Sequence, residues 1–107
     1  MTIEQIRAFC KSLQVVTEGI KWKKDLCFMV GGKMFCVVCL EPPLTVSFKV
    51  KEAEFDQLTC SPGIIPAPYV ARYHWVMVTE VKRLSPGQWK HFLKQSYDLV
   101  KARLPKK

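Results

Sequence analysis

A chain of 107 residues, 49% apolar and 24% charged, is long enough to bury one hydrophobic core and too short for two. Its aliphatic and aromatic content excludes a disordered polymer, and no run approaches the roughly 18 uncharged apolar residues that a membrane span requires. The charge is lopsided: 17 Lys and Arg against 9 Asp and Glu leave +8 at neutral pH, a field that favours phosphate polymers, anionic surfaces or acidic proteins.

In chain order, Thr2 followed by Gln5 reads as a capping box, and Ile3, Ile6, Phe9, Cys10 and Leu13 fall on one face of a helix over residues 3–13. Glu4 and Arg7 interrupt this start, which lacks the basic residues, apolar run and cleavage site of a secretory leader, so a cytoplasmic location is expected. Val16 to Trp22 can alternate across a strand. Leu26–Val30 and Met34–Leu40 are apolar runs joined by Gly31-Gly32-Lys33, a hairpin signature because both glycines tolerate positive φ. Glu41-Pro42-Pro43 ends the second run. Leu44–Val50 then alternates apolar and polar residues, a strand with one buried and one wet face. Residues 15–50 thus form an antiparallel meander.

Residues 51–58 favour a short helix anchored by Ala53, Phe55 and Leu58, followed by a turn at Cys60–Gly63. Ile64–Tyr69 contains two prolines and cannot be an interior strand, only an edge segment or an ordered loop. Tyr73–Val81 reads as a strand. Ser85, Pro86 and Gln88 open a last helix that carries Trp89, Phe92, Leu93, Ser96, Tyr97 and Val100 on one face and stops at Pro105. The whole, residues 1–107, is one α+β domain: an antiparallel sheet with the N- and C-terminal helices packed on one face.

Five cysteines, odd in number and mostly in hydrophobic contexts, point to reduced packed thiols. Cys36 and Cys39 match C-x-x-C, but three residues apart on a strand they face opposite ways and chelate nothing together. His91 belongs to the solvated face of the last helix. His74 lies between Tyr73 and Trp75 without a recognisable catalytic partner. Glu52, Glu54 and Asp56 diverge on a helix and make a poor metal cage. Gly31-Gly32-Lys33 lacks the following helix of a phosphate cradle. The expectation is a protein with no catalytic residues, no metal and no cofactor.

The cations carry more information. Lys21, Lys23 and Lys24 flank Trp22, Lys33 tops the hairpin, and Arg72 precedes Tyr73-His74-Trp75. Cations beside aromatics can contact phosphates and stack on bases, and a basic hairpin tip can act as a wing. These five are the candidate nucleic-acid contacts.

Several stretches together resemble the MmcQ/YjbR-like family of small bacterial proteins: Phe28–Phe35, Leu44–Lys49, Pro62–Pro66 with Tyr69, His74-Trp75, Ser96–Val100 and Leu104–Lys107. The resemblance implies a CyaY-like (frataxin-like) α+β fold similar in shape to a double-wing DNA-binding domain, and DNA as the partner. It also implies a polar pocket at Lys49 and His74. Where family members carry polar or basic residues ahead of the His-Trp pair, this chain has Val70-Ala71-Arg72-Tyr73, with Arg72 alone charged. The alternative is a module that binds a protein or small ligand in a cleft around Lys49, Tyr69, Arg72 and His74. A frataxin-like iron role would need an acidic ridge, and the first helix offers only Glu4. A monomer with no membrane partner is expected.

Overall fold

Thr2 and Ser85 open the two long helices by the same chemistry. Each hydroxyl accepts the N–H of the residue three ahead, Gln5 or Gln88, and each glutamine side chain accepts the N–H of its cap in return. The computed structural model describes residues 2–21, 24–68 and 70–104. Through them the chain runs α1 (Ile3–Ser12), β1 (Val16–Lys21), β2 (Asp25–Val30), β3 (Lys33–Cys39), β4 (Thr45–Lys49), α2 (Glu52–Thr59), β5 (Ile64–Pro66), β6 (Trp75–Val78) and α3 (Pro86–Ala102). Short 3-10 turns at Ala71–Tyr73 and Val81–Arg83 bracket β6. Among the described residues, no helix is long and apolar enough to cross a membrane.

The six strands form one antiparallel sheet in the order β1-β2-β3-β4-β6-β5. The edge reading of the proline-rich segment holds: β5 pairs only with β6, and Pro66 sits where no second partner asks for its missing N–H. The hairpin holds too. Gly31 (φ 58) and Gly32 (φ 80) both take the left-handed conformation that a tight two-residue turn requires, and a Cβ on Gly31 would collide with Leu104 at the end of α3.

All three helices bury their apolar stripes on one face. Phe28, Val30, Val38, Val46, Phe48, Val76 and Val78 of the sheet meet Ile6 and Cys10 of α1, Leu58 of α2, and Trp89, Leu93, Tyr97 and Val100 of α3. A break in the alternation of β3 adds to this core. Phe28 pairs with Cys36 and Met29 with Met34, which leaves Phe35 as an extra residue. Phe35 and Cys36 are therefore both buried beneath the helices, although strict alternation would send one of them to the opposite face.

Two sequence expectations are corrected. Tyr73–Val81 is not a continuous strand: only Trp75–Val78 joins the sheet. His74 takes a left-handed conformation (φ 64) and Val81 enters a turn, so local backbone geometry overrides the β propensity of the flanking residues. On α2, Phe55 and Leu58 pack inward, but Ala53 is exposed. The expected α1 ends at Ser12, and β1 is described from Val16 to Lys21; Trp22 and Pro105 lie outside the described residues.

Buried polar side chains tie α3 to the sheet. Ser96 Oγ accepts the Lys49 N–H (2.9 Å) and donates to the Phe35 carbonyl, bridging β3 and β4 where their ladder ends. Gln95 Oε1 accepts the Lys51 N–H (3.2 Å), and Tyr97 Oη donates to the Gln14 carbonyl (2.6 Å). Ser96→Ala strands a backbone donor and an acceptor in a dry site. It is expected to cost about 1–3 kcal/mol, read by chemical denaturation.

On the other side of the sheet centre, Glu18 of β1 accepts from Arg7 (2.7 Å) and Lys11 (3.1 Å) of α1. The Arg7 hydrogen bond, with help from Lys11, holds its carboxyl down at about 2, against an ordinary value of 4.5. A depressed carboxylate contributes stability that is complete above its unfolded value and disappears as pH falls toward its folded one. Thermal melts should therefore show a drop between about pH 4.5 and 2 that is smaller in Glu18→Gln.

Candidate functional site

Side chains of alternate parity point away from the helices. Leu44–Val50 was expected to have a wet outer face; Thr45, Ser47 and Lys49 do lie on the face opposite the core residues Val46 and Phe48, but Ser47 at its centre is buried. The rest of that face is largely apolar. Met34, Val37, Trp75 and Met77, with Ala67, Pro68 and Val70 of the loop after β5, line a cup of about 450 Å³. Its polar lining comes from Lys24, Asp25, Cys39, Thr45 and Ser47. Cys39 is thus on this face and Cys36 in the core, as their spacing requires. The apolar content of the face was readable in principle: Cys27, Met29, Val37 and Met77 all have the parity opposite to the core residues of their strands.

The strand register divides the candidate cations. Lys21 pairs with Asp25, Asp25 with Cys39, and Cys39 with Thr45, a row at one end of the sheet; Lys24 joins it through the hydrogen bond from the Leu40 N–H (2.8 Å) to its carbonyl. Lys33 begins β3 at the other end, about 20 Å away at 3.3 Å per residue. Arg72 falls at the same end of the sheet as Lys33, because its 3-10 turn leads through His74 into β6, whose first residue Trp75 pairs with Lys49. Lys23 lies outside the described residues.

At this hairpin end the structure assembles more positive charge than the five candidates foretold. Lys49 Nζ donates to the Tyr73 carbonyl (2.9 Å), and the Arg72 guanidinium lies 4.8 Å from the Tyr73 ring centre. Burial, and secondarily the nearby Arg103, push the Lys49 ammonium below its ordinary value. Arg103 follows α3 next to Leu104, which is packed against Gly31 of the hairpin. Sequence reading placed Arg103 with no particular surface, since only the packing of α3 across the sheet shows where it ends.

Lys49 and His74 are neighbours, yet they do not share a pocket. The His74 carbonyl accepts the Val50 N–H (2.9 Å), but its ring packs edge-on against Phe55 of α2, 5.7 Å between centres. Neither Lys49, Arg72 nor His74 lines the cup. Tyr69, the remaining member of the expected cleft, lies outside the described residues. His74 acts through its backbone: its left-handed conformation closes the 3-10 turn, with its N–H donating to the Ala71 carbonyl. His91 is exposed, 3.8 Å from Glu54. Among the described residues no group of three or more His, Cys, Asp or Glu is placed to hold a metal.

A helix-backed sheet with an open concave face defines a small α+β domain built to present that face. The chain belongs to the YjbR family, whose match covers residues 11–99. It is similar to a crystal structure of a Deinococcus radiodurans protein described as a DUF419 domain. Identity there is 25% and the TM-score 0.87, over 99% of this chain and 83% of that one. It also shares its fold with a Pseudomonas syringae protein at 16% identity and a TM-score of 0.77, covering 92% of this chain and 98% of that one. No curated protein matches the sequence.

The backbone role of His74 is testable. His74→Asn keeps a residue that tolerates the left-handed region and should leave the unfolding free energy nearly unchanged. His74→Val puts a β-branched side chain there and should cost about 1–2 kcal/mol, measured by urea denaturation.

Proposed function

We propose that this YjbR-family chain is a cytoplasmic, monomeric DNA-binding protein that meets phosphates with the hairpin end of its sheet and catalyses no reaction. One observation carries the reading. Lys33, Lys49, Arg72 and Arg103 share that end, and none has a carboxylate within ion-pairing distance among the described residues. Elsewhere half of the described cations are matched, Arg7 and Lys11 with Glu18, Lys24 with Glu41, Arg83 with Glu80 and Lys94 with Asp98, while Lys21, Lys51, Lys82, Lys90 and Lys101 have no such partner among the described residues. Unmatched charge gathered at one end of the sheet is relieved by a polyanion, which releases counterions as it binds. The depressed Lys49 ammonium supports the same reading, because a phosphate beside it would favour its charged form.

The frataxin-like sandwich and double-wing comparison belong to this proposal. They fit helices stacked on one face and a glycine-tipped basic hairpin projecting from the other layer. Lys21 and Lys24 take a lesser part on this reading, since they lie at the far end of the sheet and Lys24 is 3.6 Å from Glu41.

Fluorescence anisotropy of a labelled DNA oligonucleotide across a salt series tests it. Binding should weaken linearly on a log–log plot, with a slope of about −3 to −4 for four phosphate contacts. The Lys33→Glu/Arg72→Glu double variant should lose at least about tenfold in affinity and about 2 in slope. A Lys82→Glu/Lys90→Glu variant, with the same change in net charge, should change the slope far less. Equal losses in both variants would show that net charge, and not this surface, does the binding.

A further inference from the structure

The cup on the open face has a position and a lining that phosphate contact alone does not use. It begins beside the basic end: Trp75, one of its walls, is the register partner of Lys49, and Val70, another, lies two residues before Arg72. From there it extends up the sheet past Met77 and Ser47 to Thr45 and Asp25 at the far end. A ligand whose charged part rests on Lys49 and Arg72 therefore has an apolar, aromatic-walled hollow directly in front of it. At about 450 Å³ the hollow is at the small end of ligand sites, suited to a planar ring system with its sugar and too narrow for a duplex.

We propose that this cup seats an unpaired nucleobase, so that the nucleic acid held by the hairpin end is single-stranded. The inference rests on the phosphate-binding reading above. A base stripped of its stacking partners offers two apolar faces and a polar edge. Trp75, Met34 and Met77 supply surface for the faces, aromatic stacking and thioether contact being tolerant of base identity. Thr45 and Ser47 hydroxyls can donate to or accept from the edge, and the Asp25 carboxylate accepts an N–H. Lys49 and Arg72 stand just beyond one end of the cup, and at the other end its one carboxylate, Asp25, stands beside Lys24. The backbone of a strand and the edge of its base demand that division of labour. A duplex offers neither a free ring face nor an edge that could enter the cup.

Three labelled DNAs of equal length separate this inference from the reading beneath it: single-stranded oligodeoxythymidine, the same strand with its central bases replaced by abasic sites, and a duplex. The intact strand should bind about tenfold or more tighter than the abasic strand with an unchanged salt slope, since only stacking has been removed. It should also exceed the duplex. Cys39 lines the cup and Cys60 is exposed in a turn, which gives a second readout. The intact strand should slow iodoacetamide labelling of Cys39 and leave Cys60 unaffected, and the abasic strand should slow neither. Trp75→Leu, or Met77→Glu if the first variant unfolds, should lower the intact strand to the affinity of the abasic one. Equal affinity for intact and abasic strands with Cys39 unprotected, or tighter binding of the duplex, overturns the base seat and leaves phosphate binding standing. Absence of binding by all three DNAs at low salt overturns both.

Discussion

The hydroxyl of Ser96 is the point through which the helical layer and the sheet are held in one register. It accepts the Lys49 N–H and donates to the Phe35 carbonyl, so a single buried side chain satisfies both strands where β3 and β4 part. The extra residue in β3 makes this bridge necessary. It turns Phe35 inward against Tyr97, with ring centres 5.4 Å apart, and the β3–β4 pairing stops at Cys36 and Phe48, just short of Phe35 and Lys49. Without the hydroxyl, two backbone groups would be buried without partners. With it, the backbone of Lys49 is pinned to α3 while its side chain reaches the opposite face.

That pinning links core to surface. Lys49 is the residue whose main chain belongs to the helix–sheet junction and whose ammonium, donating to the Tyr73 carbonyl, belongs to the basic end. The same helix places Leu104 against Gly31 and so fixes the hairpin tip relative to Arg103. Lys49 and the hairpin tip are therefore set by the packing of α3, while Arg72 stands on the 3-10 turn ahead of β6.

Much of this was legible in the sequence because it depends on local chemistry. The capping boxes at Thr2 and Ser85, the Gly31-Gly32 hairpin and the edge position of the Ile64–Pro66 segment each follow from a few neighbouring residues. The errors arise where one residue departs from its surroundings. The left-handed backbone of His74 cut an aromatic, β-branched run in two. The candidate site was less legible for a different reason. Bringing Lys33, Lys49 and Arg72 together, and separating them from Lys21 and Lys24, requires the register of several strands, and Arg103 joins them only through the crossing of α3. Spacing along a chain carries no such information.

A sheet that leaves one broad apolar face without helices invites self-association, and its two outer strands are where another copy's backbone would add. Pro66 removes a donor from the β5 side, and that strand is only three residues long. The opposite side, β1, is twice as long and contains no proline. Colloidal behaviour is therefore asymmetric: strand addition is blunted at one margin by imino-acid chemistry, and at the other it is opposed chiefly by mutual repulsion between molecules that each carry +8. High ionic strength, which screens that repulsion, uncovers the β1 margin first.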